Sequence, residues 1–118
     1  MVVPTRIENT ASPGVPDVFW THRKVRGLTG WIELKIIRGN KTRFGQEQVA
    51  WIKSHANLGV NVCILARKDD TILLWDGSQV AEVASDGIQV EPVGAWDRPF
   101  KWDEIIAAIM DRQAPHIG

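Results

Sequence analysis

"GWIELKII", residues 30–37, is the stretch on which the fold turns. Side chains of an extended strand alternate between two faces. Over a strand Trp31–Ile37, Ile32, Leu34 and Ile36 share one face, expected to be core, and Trp31, Glu33, Lys35 and Ile37 share the other. An acid and a lysine therefore stand side by side between apolar neighbours. Taken alone, they read as a surface ion pair on a half-exposed sheet.

The segment just upstream, "SPGVPDVFWTH" (12–22), changes the weight of that pair. Val18–His22 reads as a strand from its β-branched and aromatic residues. Pro16, with fixed φ and no N–H, suits the strand's entry. Asp17 then stands at the strand's mouth. If the two strands pair antiparallel across a loop centred near Arg26, Asp17 lies opposite Lys35, with Glu33 its diagonal neighbour at ~7–8 Å. Two carboxylates so placed can share one divalent cation. Mg²⁺ takes oxygen ligands, commonly one or two carboxylates with waters and a substrate phosphate. Without a cation the two acids repel; Lys35 lessens that repulsion and is placed to steer a water or stabilise a phosphoryl transition state. Such a set suits phosphodiester hydrolysis.

Downstream, Phe44–Leu58 has helical spacing, ended by Gly59. Phe44, Gln48, Trp51, Ile52 and His55 fall on one side of it, so Gln48 sits within an apolar face and needs a polar partner. His55 reads as a core histidine. "NVCILAR" (61–67) reads as a buried strand, "TILLW" (71–75) as another, Val80–Ala84 as a short helix or strand, and Gln89–Val93 as an edge strand demoted by Pro92. "KWDEIIAAIMDR" (101–112) is helical, with Ile105, Ile106, Ile109 and Met110 on one side. The order implies one α/β domain over 1–118, a mixed central sheet flanked by helices.

Formal net charge is zero over 118 residues, yet the charges separate along the chain. Arg23, Lys24, Arg26, Lys35, Arg38, Lys41 and Arg43 face one acid, Glu33, between Thr21 and Arg43; acids dominate from Lys68 to Glu104. A local basic field can hold phosphates in a neutral protein. Cys63 is the single cysteine and reads as a buried thiol. The three histidines are too scattered for structural zinc. No apolar run is long enough to span a membrane and no signal peptide is seen, so a cytoplasmic protein is expected. Trp20, Trp31, Trp51, Trp75 and Trp102 lie in expected elements, where core packing is the default; Trp31, on the face of Glu33, is the one suited to stack on a nucleotide.

Together, "RIEN" (6–9), "PGVPDV" (13–18), "GWIELK" (30–35) and Gln48-x-x-Trp51 resemble the Pro-Asp…Asp/Glu-x-Lys signature of the PD-(D/E)XK nuclease superfamily. In particular they resemble the small stand-alone VRR-NUC-type nucleases of bacteriophages. The resemblance covers about 6–67. It implies a restriction-endonuclease-like fold and a Mg²⁺-dependent DNA endonuclease, with Mn²⁺ able to substitute. Such an enzyme would act on branched DNA, in the manner of a Holliday-junction resolvase, as a homodimer. It implies Asp17 and Glu33 as metal ligands with the Leu34 carbonyl, Lys35 as the catalytic lysine, Gln48 beside them, and Glu8 as a further acid at the site. DNA would meet Arg23, Lys24, Arg26, Arg38, Lys41 and Arg43. Expected dimer contacts are the arm Val2–Ile7 and Ile105, Ile109 and Met110. The alternatives are a non-catalytic nucleic-acid-binding module on a decayed nuclease fold, and a small structural protein whose Glu33–Lys35 is a surface pair.

Overall fold

The computed structural model describes the chain over residues 2–6, 14–24 and 26–111, with side chains over 14–24 and 26–110. Its strands are β1 (Val2–Arg6), β2 (Val18–His22), β3 (Thr29–Ile36), β4 (Val62–Lys68), β5 (Thr71–Asp76) and β6 (Gly94–Asp97). Its helices are α1 (Gln46–Asn57), α2 (Val80–Asp86) and α3 (Trp102–Asp111). The strands form one six-stranded sheet in chain order. Only β3 and β4 are parallel; the other neighbours are antiparallel. A parallel pair needs a crossover, and α1 is that crossover. It stops where Gly59 turns left-handed at φ 87°. The architecture is the expected mixed sheet flanked by helices.

The sheet is covered on both faces. On one, Val62, Ile64 and Ala66 of β4 pack with Ile52 of α1 and Val80 and Val83 of α2. On the other, Cys63 of β4 and Leu74 of β5 pack with Trp20 and with Ile105 and Ile109 of α3. Continuous apolar residues in β4 thus serve two cores, as a strand buried on both sides requires. Among the described residues no helix is long and apolar enough to cross a membrane.

Several expectations change. The face of β3 expected to be core is the open one: Leu34 and Ile36 are 49% and 66% exposed, while Glu33 on the opposite face is 1% exposed. The reason is that α1 and its core lie on the Glu33 side, where Ile37 is buried and Trp31 packs. On the other side α3 covers only the Ile32 end. The β2–β3 register also differs. His22 N–H donates to the Leu28 carbonyl at 2.9 Å, closing the turn one residue early, and Val18 pairs with Ile32. Asp17 is thereby opposite Glu33, not Lys35.

The arm Val2–Arg6 is one of the sheet's two edge strands, paired with β2. Ile105 and Ile109 are buried in the chain's own core, so they are not available as dimer contacts; Met110 packs beside them. Gln89–Val93 is not a strand. The Trp75 indole N–H donates to the Val90 carbonyl at 2.9 Å, Pro92 has no N–H to offer, and the edge strand forms at Gly94–Asp97 instead. Val80–Ala84 resolves to a helix because Val80 and Val83, one turn apart, are both buried. Trp102 is 51% exposed rather than core.

Candidate active site

Asp17, Glu33, Lys35 and Gln48 come together where β2 begins and β3 ends. The backbone explains Asp17. Trp31 and Ile37 donate their N–H groups toward β4, to the Asn61 and Arg67 carbonyls, each at 2.9 Å. The even-numbered residues of β3 therefore turn their N–H and C=O toward β2. Continuing the β2 register sets Pro16 opposite Leu34, and Pro16 has no N–H, so the ladder stops there. The Asp17 carboxylate takes over: Oδ2 accepts from Leu34 N–H at 2.9 Å. The Leu34 carbonyl points the same way, with no ladder donor opposite. Gly14, at φ 93°, holds this segment against α1, where a Cβ would run into the Glu47 carbonyl.

Glu33 projects from the other face of β3 into the α1 side. Its Oε2 accepts from Gln48 Nε2 at 2.9 Å and from Lys35 Nζ at 3.1 Å. Gln48 Oε1 accepts from Lys35 Nζ and from Gly45 N–H, both at 3.0 Å. Lys35 Nζ also donates to the Arg43 carbonyl at 2.7 Å and lies 4.5 Å from the centre of the Phe44 ring. Its three protons are thus fully placed. Gln48 holds acid and lysine in one frame, which is the partner its apolar helix face lacked. Glu33 is buried and Lys35 is 13% exposed, so the pair is largely enclosed rather than on the surface.

One atom is left over. Glu33 Oε1 is buried and has no hydrogen-bond partner among the described residues. A buried, unsatisfied carboxylate oxygen is costly. Burial raises the Glu33 pKa, and the Asp17 carboxylate raises it further; Lys35 and the Asp17 backbone N–H offset only part. The group is short of positive charge, which a proton or a cation supplies. Among the described residues no three His, Cys, Asp or Glu come together as a metal-holding group. The donor set is two carboxylates and a backbone carbonyl, all oxygen, and Mg²⁺ or Mn²⁺ needs no more from protein when waters and substrate complete the shell. The residues present fit such an ion. Glu8 lies outside the described residues.

The expected basic surface divides. Arg38, Lys41 and Arg43 are exposed in the β3–α1 connection beside the site, whereas Arg23, Lys24 and Arg26 sit on the β2–β3 turn at the far end of the sheet. His55 stacks on Trp51 at 3.7 Å with Nδ1 2.7 Å from the Trp51 carbonyl, a structural role. Trp31 is engaged with Phe19 at 4.9 Å and Trp51 at 5.3 Å. Two cations were not anticipated. Arg67 and Lys68 end β4, and the parallel pairing carries them beside the end of β3; Lys68 Nζ donates to the Gly39 carbonyl. The signal was "LARKDD", a charged strand end following a crossover helix. No family model, curated protein or solved structure matches the chain.

Proposed function

We propose that the chain is a metal-dependent DNA endonuclease of the restriction-endonuclease-like type, selective for branched DNA. The observation that carries this is the Oε1 of Glu33, unpartnered among the described residues, buried beside the Asp17 carboxylate and two residues from the lysine. Asp17, Glu33 and the Leu34 carbonyl would hold Mg²⁺, with Mn²⁺ able to replace it. When bound, the ion supplies charge neutralisation at a phosphoryl oxygen and a water of lowered pKa. Asp17 and Glu33 would fix the cation's position. Lys35 sits between Glu33 and Gln48. It reaches a phosphate oxygen by releasing the Arg43 carbonyl, the one of its acceptors in the exposed β3–α1 connection. Gln48 orients Lys35 and Glu33 without touching the substrate. Arg38, Lys41 and Arg43 bind flanking phosphates. If the branched substrate is a four-way junction, symmetric cuts need two such sites and hence a homodimer.

The test is cleavage of linear, flapped and four-way DNA in Mg²⁺, Mn²⁺ or Ca²⁺. Mg²⁺-dependent cuts are expected. Asp17→Asn and Glu33→Gln should nearly abolish them, and Lys35→Ala should lower turnover by about 10²–10³-fold, the scale of losing one transition-state charge contact. Wild-type turnover in any of these folded variants would sink the reading. The second reading, a nucleic-acid-binding module without catalysis, is favoured by the lack, among the described residues, of any cluster of three or more His, Cys, Asp or Glu. Salt-sensitive DNA binding with no cleavage in any metal would select it.

A further inference from the structure

The open face of β3 borders a groove of about 660 Å³ that Asp17 and Lys35 also help to line. That volume falls in the range of ligand pockets, roughly 300–1,000 Å³. Its floor includes Leu34, Ile36 and Ile72, and Phe100 and Trp102 stand beside it. Phe100 and Trp102 meet edge to face at 5.8 Å, leaving Trp102 half exposed at the start of α3.

The border of the groove is cationic. Arg43 and Arg67 line it, together with Lys35, against the single acid Asp17. Among the described residues, Arg67 donates through Nε to the Asp69 carbonyl at 2.9 Å, which leaves its terminal amino groups for a ligand. Aromatic and apolar walls beside guanidinium groups match a base joined to its phosphates. A paired base has both faces stacked in the duplex and offers neither to a tryptophan. A second copy of the chain fits less well: stable interfaces need about 800 Å² per partner and exclude charge from their centre.

We propose, on the basis of the nuclease reading, that this groove seats an unpaired nucleotide of the DNA. Its base lies against Trp102 and Phe100, and its phosphates meet Arg43 and Arg67. The bond to be cut then lies at a boundary between paired and single-stranded DNA, as at a flap or fork, rather than in a fully paired four-way junction.

The experiment is fluorescence anisotropy in EDTA, where no bond is cut. Labelled duplex, the same duplex carrying a single-stranded flap, and a four-way junction are compared. Wild type should bind the flapped duplex more tightly than the other two. Trp102→Ala should weaken flap binding by about tenfold, the scale of one lost base–aromatic stack, and leave duplex binding unchanged. Trp102→Phe should keep most of the preference. Lack of a wild-type flap preference, or an equal effect of Trp102→Ala on flap and duplex, would overturn the proposal. So would a Trp102→Ala protein that loses only self-association by sedimentation, which would assign the groove to a second copy. Cleavage of paired DNA without flap preference would remove this inference alone. Absence of both binding and cleavage on every DNA would remove the nuclease reading and this inference with it.

Discussion

Glu33 is the residue on which the proposed chemistry turns at the scale of single residues. Burial and the Asp17 carboxylate raise its pKa in the folded, metal-free chain. From the ordinary carboxylate value up to that raised value, the folded state binds more protons than the unfolded one. Stability therefore falls as pH rises through the window. Metal-free protein should melt at a higher temperature at about pH 5 than at about pH 8. Glu33→Gln should flatten that fall, since an amide in the same place does not titrate. Added Mg²⁺ should raise the melting temperature of wild type at the higher pH, and of Glu33→Gln hardly at all. A variant as pH-sensitive as wild type would rule out Glu33 as the source. Gln48 is the complementary case. Gln48→Ala strips a partner from Glu33 Oε2, from Lys35 and from Gly45 N–H. A loss of about 1–3 kcal/mol in denaturant unfolding is expected, with kcat reduced more than KM because the residue positions Lys35 and does not touch DNA.

At the scale of elements, the β3–α1 connection matters most, because it supplies both the Arg43 carbonyl for Lys35 and the cations beside the site. It is anchored at Asn40, whose carbonyl accepts Ile88 N–H at 2.9 Å. Gly87 makes that contact possible. It adopts φ 61°, and a Cβ there would collide with the Asn40 carbonyl. Gly87→Ala should therefore cost about 1–3 kcal/mol in unfolding free energy, from overpacking and a disfavoured backbone region together. It should also weaken DNA binding, since Lys41 and Arg43 ride on the displaced segment. An unchanged denaturation midpoint would show that the connection is held by other contacts.

The whole molecule places its two basic groups at opposite ends of β3, whose eight residues span about 25 Å. Replacing Arg38, Lys41 and Arg43 by Ala should weaken DNA binding and flatten its salt dependence on any substrate, because fewer counterions are released. Replacing Arg23, Lys24 and Arg26 should do so only on DNA long enough to reach the far end of the sheet. Equal effects of the two sets on a short duplex would mean that DNA does not enter at the Asp17–Glu33 end. Self-association is decided at this scale as well. Sedimentation equilibrium at micromolar concentration should show a dimer if the protein resolves four-way junctions. A monomer, free and DNA-bound, would direct it toward single cuts, in line with a site built for an unpaired nucleotide.

The local periodicities of the chain already contained β2, β3, α1, β4, β5 and α3, and with them the grouping of Asp17, Glu33, Lys35 and Gln48. Strand alternation and helical spacing are properties of neighbouring residues and need no partner to be read. Alternation says that the two faces of β3 differ; it does not say which one is covered. That was decided by α1, which packs over the Glu33 face and leaves Leu34 and Ile36 open. The β2–β3 register depended on where the turn closed, one residue from its expected place, and that moved Asp17 opposite Glu33. β1 and β6 are strands only because a sheet edge waits for them. The groove joins residues from β3, β4 and the start of α3, which only the folded chain brings together. The burial that leaves Glu33 short of positive charge is likewise a product of packing, since a sequence position has no dielectric until its neighbours arrive.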